Sequence, residues 1–222
     1  MSTFYLPIGT PEMIAMAQSL SNGRATKHGG AGCTLICCTD SGATKWRRRK
    51  VGHGLLRNVA AHEKMYVLTH GLVNAEKEPV GTVGARRNAT PTGALVGKKW
   101  TGGTMRSYTP QSLAEHLLAE DLTLQYVDLR LFICYSGVTS NHLPGNVSFA
   151  EALRDSMRAL GFGRIVVTGY KGALGSSYGN GYYEENWRGI EPAPAAPHLT
   201  GTLHKLLEDG RIASLHKVRF GP

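Results

Sequence analysis

Apolar and polar positions follow two different periods along this chain, and the segments they mark succeed one another as strand, helix, strand, helix, strand. Four runs are short, apolar, rich in β-branched residues and closed by turn residues, as strands buried on both faces are. They are Cys33 to Thr39, ended by Asp40-Ser41-Gly42; Lys64 to His70 (KMYVLTH), stopped by Gly71; Leu129 to Cys134 (LRLFIC); and Arg164 to Thr168 (RIVVT), ending at Gly169. Helical spacing governs two others. Pro110 to Asp121 puts Leu113, Leu117 and Leu118 on one face, with Thr109 as cap and Pro110 at the first helical position. Phe149 to Leu160 is capped by Ser148, has Glu151 three residues further on, and is closed by Gly161. A third helix is expected from Pro11 to Leu20, behind the cap Thr10. This alternation predicts an α/β fold, a mainly parallel sheet covered by helices.

The remaining segments are less regular. Val80 to Trp100 is rich in Gly, Thr, Pro and basic residues and reads as loop or hairpin. Gly175 to Gly189 reads as a surface loop, Pro192 to Pro197 as a linker, and Leu203 to Phe220 as a short helix and one edge strand. The 222 residues suit one domain, with 1–28 as an N-terminal extension and 190–222 as a C-terminal linker and edge element.

Composition narrows the class. Hydrophobic residues make up 41% and charged residues 18%, no apolar run is long enough for a membrane helix, and no signal-peptide pattern opens the chain. A soluble protein is expected, cytoplasmic or exported by a specialised secretion system into a host cytosol. Its four cysteines are Cys33, Cys37, Cys38 and Cys134. Adjacent Cys37 and Cys38 point to opposite faces of a strand, so no disulfide scaffold is expected. Nor does C-x3-C-C without a downstream Cys or His pair match zinc-ligand spacing, and no metal site is expected. The formal charge of +9 is uneven: between Arg24 and Arg106 stand 15 Lys or Arg against 4 Asp or Glu. It peaks at Lys45-Trp46-Arg47-Arg48-Arg49-Lys50. Such a field favours a polyanion, although charge runs are often only solvated surface.

Chemistry in an open parallel sheet gathers outside the carboxyl ends of the strands. Two strands end there on reactive side chains: His70, followed by Gly71, and Cys134, followed by Tyr135-Ser136-Gly137. If the two strands are neighbours, thiol and imidazole emerge on one rim and form the basic unit of cysteine nucleophilic catalysis. Gly71 would let a scissile carbonyl approach, its N–H joining that of Cys134 in an oxyanion hole. Singly, a Cys at a strand end is usually a small buried hydrophobe and a His a satisfied structural residue. A second His-Gly at His53-Gly54 has no strand to present it, and Cys37 lacks a glycine turn to expose its sulfur; with Cys33 and Cys38 it reads as core. The glycines from Gly172 to Gly181 match no phosphate-loop pattern.

An apolar strand ending in His-Gly, the TPQSLAEHLL helix, and an apolar strand ending in Cys before a small-residue turn resemble the caspase-like (clan CD) cysteine peptidases. From about Met65 to Leu174, including ICYSG, SFAEALRDSMRALGF and IVVTGYKGAL, the chain is most similar to the cysteine peptidase domains of bacterial multifunctional toxins and related effectors. The resemblance implies a caspase-like three-layer α/β/α sandwich, a His70–Cys134 dyad without an essential acidic third member, and cleavage of a protein substrate, or of the chain itself, commonly after leucine. No cofactor is needed for that chemistry. The toxin domains are activated by inositol hexakisphosphate in a basic cleft, for which Lys45, Arg47, Arg48, Arg49, Lys50, Arg86, Arg87, Lys98, Lys99 and Lys171 are the residues available here. Because the chain begins at its own Met with no large toxin attached, a free effector acting on host proteins fits better than self-release. The aromatic group Tyr170, Tyr178, Tyr182, Tyr183 and Trp187 would line the substrate cleft or flap, or else cover the sheet edge. Two other readings fit the same residues: a non-catalytic module binding nucleic acid or anionic lipid through the basic face, with nucleic acid the less favoured partner, and a Cys–His protein deamidase or acyltransferase.

Overall fold

The computed structural model describes residues 2–28, 33–37, 49–51, 53–76, 78–87, 90–92, 99–172, 174, 187–188, 204–205 and 216–221. In chain order the elements begin with β1 (Ser2–Leu6), α1 (Pro11–His28), β2 (Thr34–Cys37), β3 (Arg49–Val51), β4 (Lys64–Leu68), β5 (His70–Val73), β6 (Pro79–Arg87), β7 (Thr90–Thr92), β8 (Lys99–Thr101) and β9 (Thr104–Tyr108). There follow α2 (Pro110–Ala119), β10 (Asp128–Phe132), α3 (Phe149–Ala159), β11 (Val166–Tyr170), β12 (Trp187–Arg188), β13 (His204–Lys205) and β14 (Lys217–Phe220).

The fold is α/β, built on a mixed, mostly parallel sheet in the order β14-β11-β10-β4-β1-β2-β3, in which only β14 runs antiparallel. From β1 the chain crosses through α1 to β2 on one side, and later builds β4, β10 and β11 outward on the other. Right-handed crossovers running in opposite directions put α1 on one face and α2 with α3 on the other. Both faces of the centre are therefore covered, and all five residues of β1 are buried. That burial also explains why β1 carries no alternation. The stretch 1–28, expected as an extension, supplies an interior strand beside β4 and an 18-residue helix instead.

Local signals account for the helices. Thr109 caps α2 by accepting from the Ser112 N–H, and Ser112 Oγ accepts in return from the Thr109 N–H. Ser148 caps α3 through the Glu151 N–H, and Gly161 takes the left-handed conformation (φ 100°) that closes it. Leu113, Ala114 and Leu117 of α2 and Phe149, Ala150, Leu153 and Met157 of α3 are buried in the common core.

Strand ends depart from the apolar runs. β4 stops at Leu68 because the chain turns away at Thr69, and His70 opens β5 in a separate antiparallel sheet, β5-β6-β9. With no neighbour left there, β10 leaves the ladder after Phe132. β11 begins two residues late, at Val166, and runs on to Tyr170 because β14 pairs with it as far as Tyr170↔Lys217. The expected edge strand near the C-terminus is β14; the turn Asp40-Ser41-Gly42, the linker Pro192 to Pro197 and the short helix before β14 lie outside the described residues.

One glycine decides how closely the second half packs. A Cβ on Gly169 would lie 2.8 Å from Ala150 Cβ and 2.8 Å from the Gly137 nitrogen, so the strand, α3 and the turn after Cys134 meet there only without a side chain. Gly169→Ala should destabilise the fold by about 1–3 kcal/mol through overpacking, read as a lower urea midpoint; an unchanged midpoint contradicts this packing.

Tyr5 of β1 and His116 of α2 hydrogen-bond across the core (2.8 Å, hydroxyl to Nε2), with Tyr108 tilted against the same ring. Burial holds the His116 imidazole below its ordinary range, partly opposed by the Glu120 carboxylate, while Arg106 and His53 add to the lowering. The folded state thus favours the neutral ring. Its contribution is fully present above the ordinary imidazole range and is lost as pH falls through that range towards the lower folded value. Melting temperature should fall between pH 7.5 and 5.5, and His116→Gln should fall less over that interval; an equal fall in both rules His116 out as the cause.

Candidate active site

The site is built where β4 and β10 lie side by side. They pair in parallel with Leu68 opposite Phe132, so His70 and Cys134, each two residues further on, leave the sheet at the same rim. The strands that lead to His70 and to Cys134, β4 and β10, are neighbours. Gly71 seals the arrangement, because a Cβ there would strike the carbonyl oxygen of Cys134. Only glycine lets the two backbones come this close.

The turn carrying Cys134 is tied on several sides. Tyr135 adopts φ 55°, a left-handed conformation unusual for a bulky residue, and its N–H donates to Gly172 O at 2.9 Å. Buried Ser136 donates through its hydroxyl to Ile133 O (2.9 Å) and accepts the Tyr170 N–H (3.1 Å). Its own carbonyl accepts the Ala150 N–H of α3 (2.8 Å), and the Gly137 N–H donates to Tyr170 O (2.9 Å). Left-handed strain of this kind persists only where surroundings over-determine it, and here β11 and α3 do so.

Cys134 Sγ meets the main chain just beyond β11. It accepts the Leu174 N–H at 3.0 Å and its thiol donates to Leu174 O at 3.2 Å. The Leu174 main chain thus lies against the sulfur, and earlier in the same segment Lys171 N–H donates to His216 O.

His70 makes a contact the sequence did not announce. Its Nε2 lies 3.0 Å from Glu12 Oε1, the ring side chain being 36% and the carboxylate 21% exposed. Glu12 is in the first turn of α1, directly after β1, so this pair spans the crevice between β1 and β4 where the strand order reverses. Such a switch point is where open α/β sheets bind ligands. Taken alone, Glu12 reads as an ordinary acidic residue at a helix start; without β1 nothing located it.

The other sequence candidates lie elsewhere. His53 is 79% exposed and bonds buried Glu120 (2.9 Å), which also accepts the Gly54 N–H (2.7 Å). That turn leads into the start of β4, at the opposite rim from His70. Cys37 ends β2 fully buried beside Leu6, and Cys33 is buried too. Of the basic residues, Arg86 and Arg87 are exposed at the end of β6, and Lys171 is exposed beyond β11. Arg49, Lys50 and Lys99 belong to short strands whose side chains lie outside the described residues, as do Lys45, Arg47, Arg48 and Lys98 altogether. Tyr170 is buried at the end of β11; Tyr178, Tyr182 and Tyr183 and the Trp187 side chain also fall outside the described residues. Among the described residues, no His, Cys, Asp and Glu cluster suits a metal ion, and no helix is long and apolar enough to cross a membrane.

No protein-family model matches the chain, and no curated protein or solved structure matches it either.

The Gly71 contact yields a direct check. Gly71→Ala must push β5 away from the Cys134 turn, lowering stability by about 1–3 kcal/mol and changing the iodoacetamide labelling rate of Cys134. Wild-type melting and wild-type labelling together contradict the close approach.

Proposed function

We propose that this chain is a caspase-like cysteine endopeptidase acting through Cys134 and His70. The observation that carries the reading is the parallel Leu68↔Phe132 register, which brings a histidine and a cysteine off one rim, with glycine backbone against the cysteine. Cys134 Sγ attacks the scissile carbonyl carbon as its proton passes to His70. The tetrahedral oxyanion is held by the N–H groups of Gly71 and Cys134. Collapse forms a thioester and breaks the C–N bond, His70 returning the proton to the leaving amine; water, deprotonated by His70, then hydrolyses the thioester. Substrate takes the position that the Leu174 main chain holds against the sulfur, so Leu174 gives way before chemistry.

The basic residues fit activation by a polyphosphate such as inositol hexakisphosphate. Arg86 and Arg87 lie on β6 just past Gly84, which pairs with His70, so a ligand there bears on the strand that carries the base. A host protein remains the substrate class, with the chain acting as a bacterial effector or toxin.

Cleavage of a proteome-derived peptide library, with and without inositol hexakisphosphate, checks both points. Cutting should fall at least ~1000-fold in Cys134→Ala and in His70→Ala, and should rise with the polyphosphate. A folded wild type that cuts nothing in either condition sinks the peptidase reading. Intact-mass analysis of treated proteins would then separate a deamidase from a binding module.

A further inference from the structure

Resting on the peptidase reading, we propose that Glu12 is a positioning residue for His70, making the site a triad of Cys134, His70 and Glu12 rather than a dyad. Hydrogen-bonding capacity fixes the tautomer of the ring. A carboxylate oxygen can only accept, so the 3.0 Å contact between Glu12 Oε1 and His70 Nε2 assigns the ring proton to Nε2. The neutral imidazole then has its lone pair on Nδ1, the form able to take the Cys134 proton. When Nδ1 has gained that proton, the ring is a cation with Glu12 still bonded to Nε2–H, and the carboxylate stabilises it. The proton later leaves from Nδ1 to the departing amine, and the ring returns to its starting tautomer.

Topology makes this pair a property of the fold. Glu12 follows β1 and His70 follows β4, the two strands being adjacent in register, with Tyr5 opposite Val67. The first turn of α1 therefore stands at the same rim as the strand end that delivers His70. The main-chain anchors on this side also hold: the Ile14 N–H donates to Thr10 O at 2.9 Å, and Thr10 Oγ1 accepts the Met13 N–H at 3.2 Å, fixing the turn that carries Glu12. An acidic residue there also suits the positive helix end. A purely helical role, however, would leave the ring's tautomer and the chemical step untouched, and that difference decides the test.

The full-length protein, labelled with 15N-histidine, is compared with Glu12→Ala and Glu12→Gln, the His70 ring signals being assigned with His70→Gln. Wild type should show His70 protonated at Nε2. Glu12→Ala should lose that single-tautomer signature, while kcat on a cleaved library peptide falls about 10- to 100-fold with KM within about twofold. Glu12→Gln, which keeps an acceptor oxygen, should restore most of the tautomer signature and part of kcat. A Glu12→Ala protein with the wild-type tautomer overturns the proposal, as does one whose kcat is unchanged in an active enzyme. If wild type cuts no peptide, the peptidase reading fails by itself, and the spectra together with the iodoacetamide labelling rate of Cys134 still decide what Glu12 does. An altered tautomer with slower labelling in Glu12→Ala then supports positioning, and unchanged values of both reject it.

Discussion

Everything at this site depends on two parallel strands pairing in one register. Leu68 lies opposite Phe132, and because neither strand continues in the ladder, the residues two positions on are free to turn into the space above the sheet. A slip of one residue by either strand would turn its own reactive side chain to the other face and away from its partner's, since side chains alternate along a strand. The register is held by burial on both faces: Met65, Val67, Leu129 and Leu131 on one, and Leu68 and Phe132 on the other, are buried in the same core. Hydrophobic packing thus fixes the relative position of two polar, reactive groups that have no strong affinity of their own.

The rest of the architecture follows from what happens as the strands end. On the β4 side the chain bends at Thr69 into an antiparallel hairpin sheet, and Gly71 runs against the Cys134 backbone. On the β10 side the chain makes a tight turn with Tyr135 left-handed, at a cost of about 1–2 kcal/mol that the hydrogen bonds to β11 and α3 offset. Sequence order reverses next to β4, which brings the start of α1 and its Glu12 to the same rim. The main chain of Leu174 then meets the sulfur through both its N–H and its carbonyl. Four separate stretches of chain converge on the space outside two strand ends.

Much of this was legible in the residues, for physical reasons that can be named. Helices α2 and α3 are announced by Thr109, Ser148 and Gly161, whose caps form as read. The apolar runs before His70 and Cys134 mark buried parallel strands, although both end two residues sooner than read: past Leu68 the chain bends at Thr69 into the β5-β6-β9 sheet, and past Phe132 the apolar Ile133 and Cys134 already belong to the turn. β1 was hidden: five residues buried on both faces show no alternation. Missing that strand concealed the switch point, and with it Glu12, whose helix-start position looks ordinary. The sulfur's contact with Leu174 could not be read either, since two backbone groups forty residues away carry no sequence signature.

The central claim is that Cys134 is a nucleophile activated by His70. The most direct measurement treats the native protein with a mixture of peptidyl acyloxymethyl ketones, which form a thioether with an activated thiolate and release a carboxylate, and locates the adduct by peptide mass spectrometry. One adduct per chain, on Cys134 and lost in His70→Ala, is the predicted result. Labelling of Cys33, Cys37 or Cys38 instead, or labelling of Cys134 that is undiminished without His70, would contradict it.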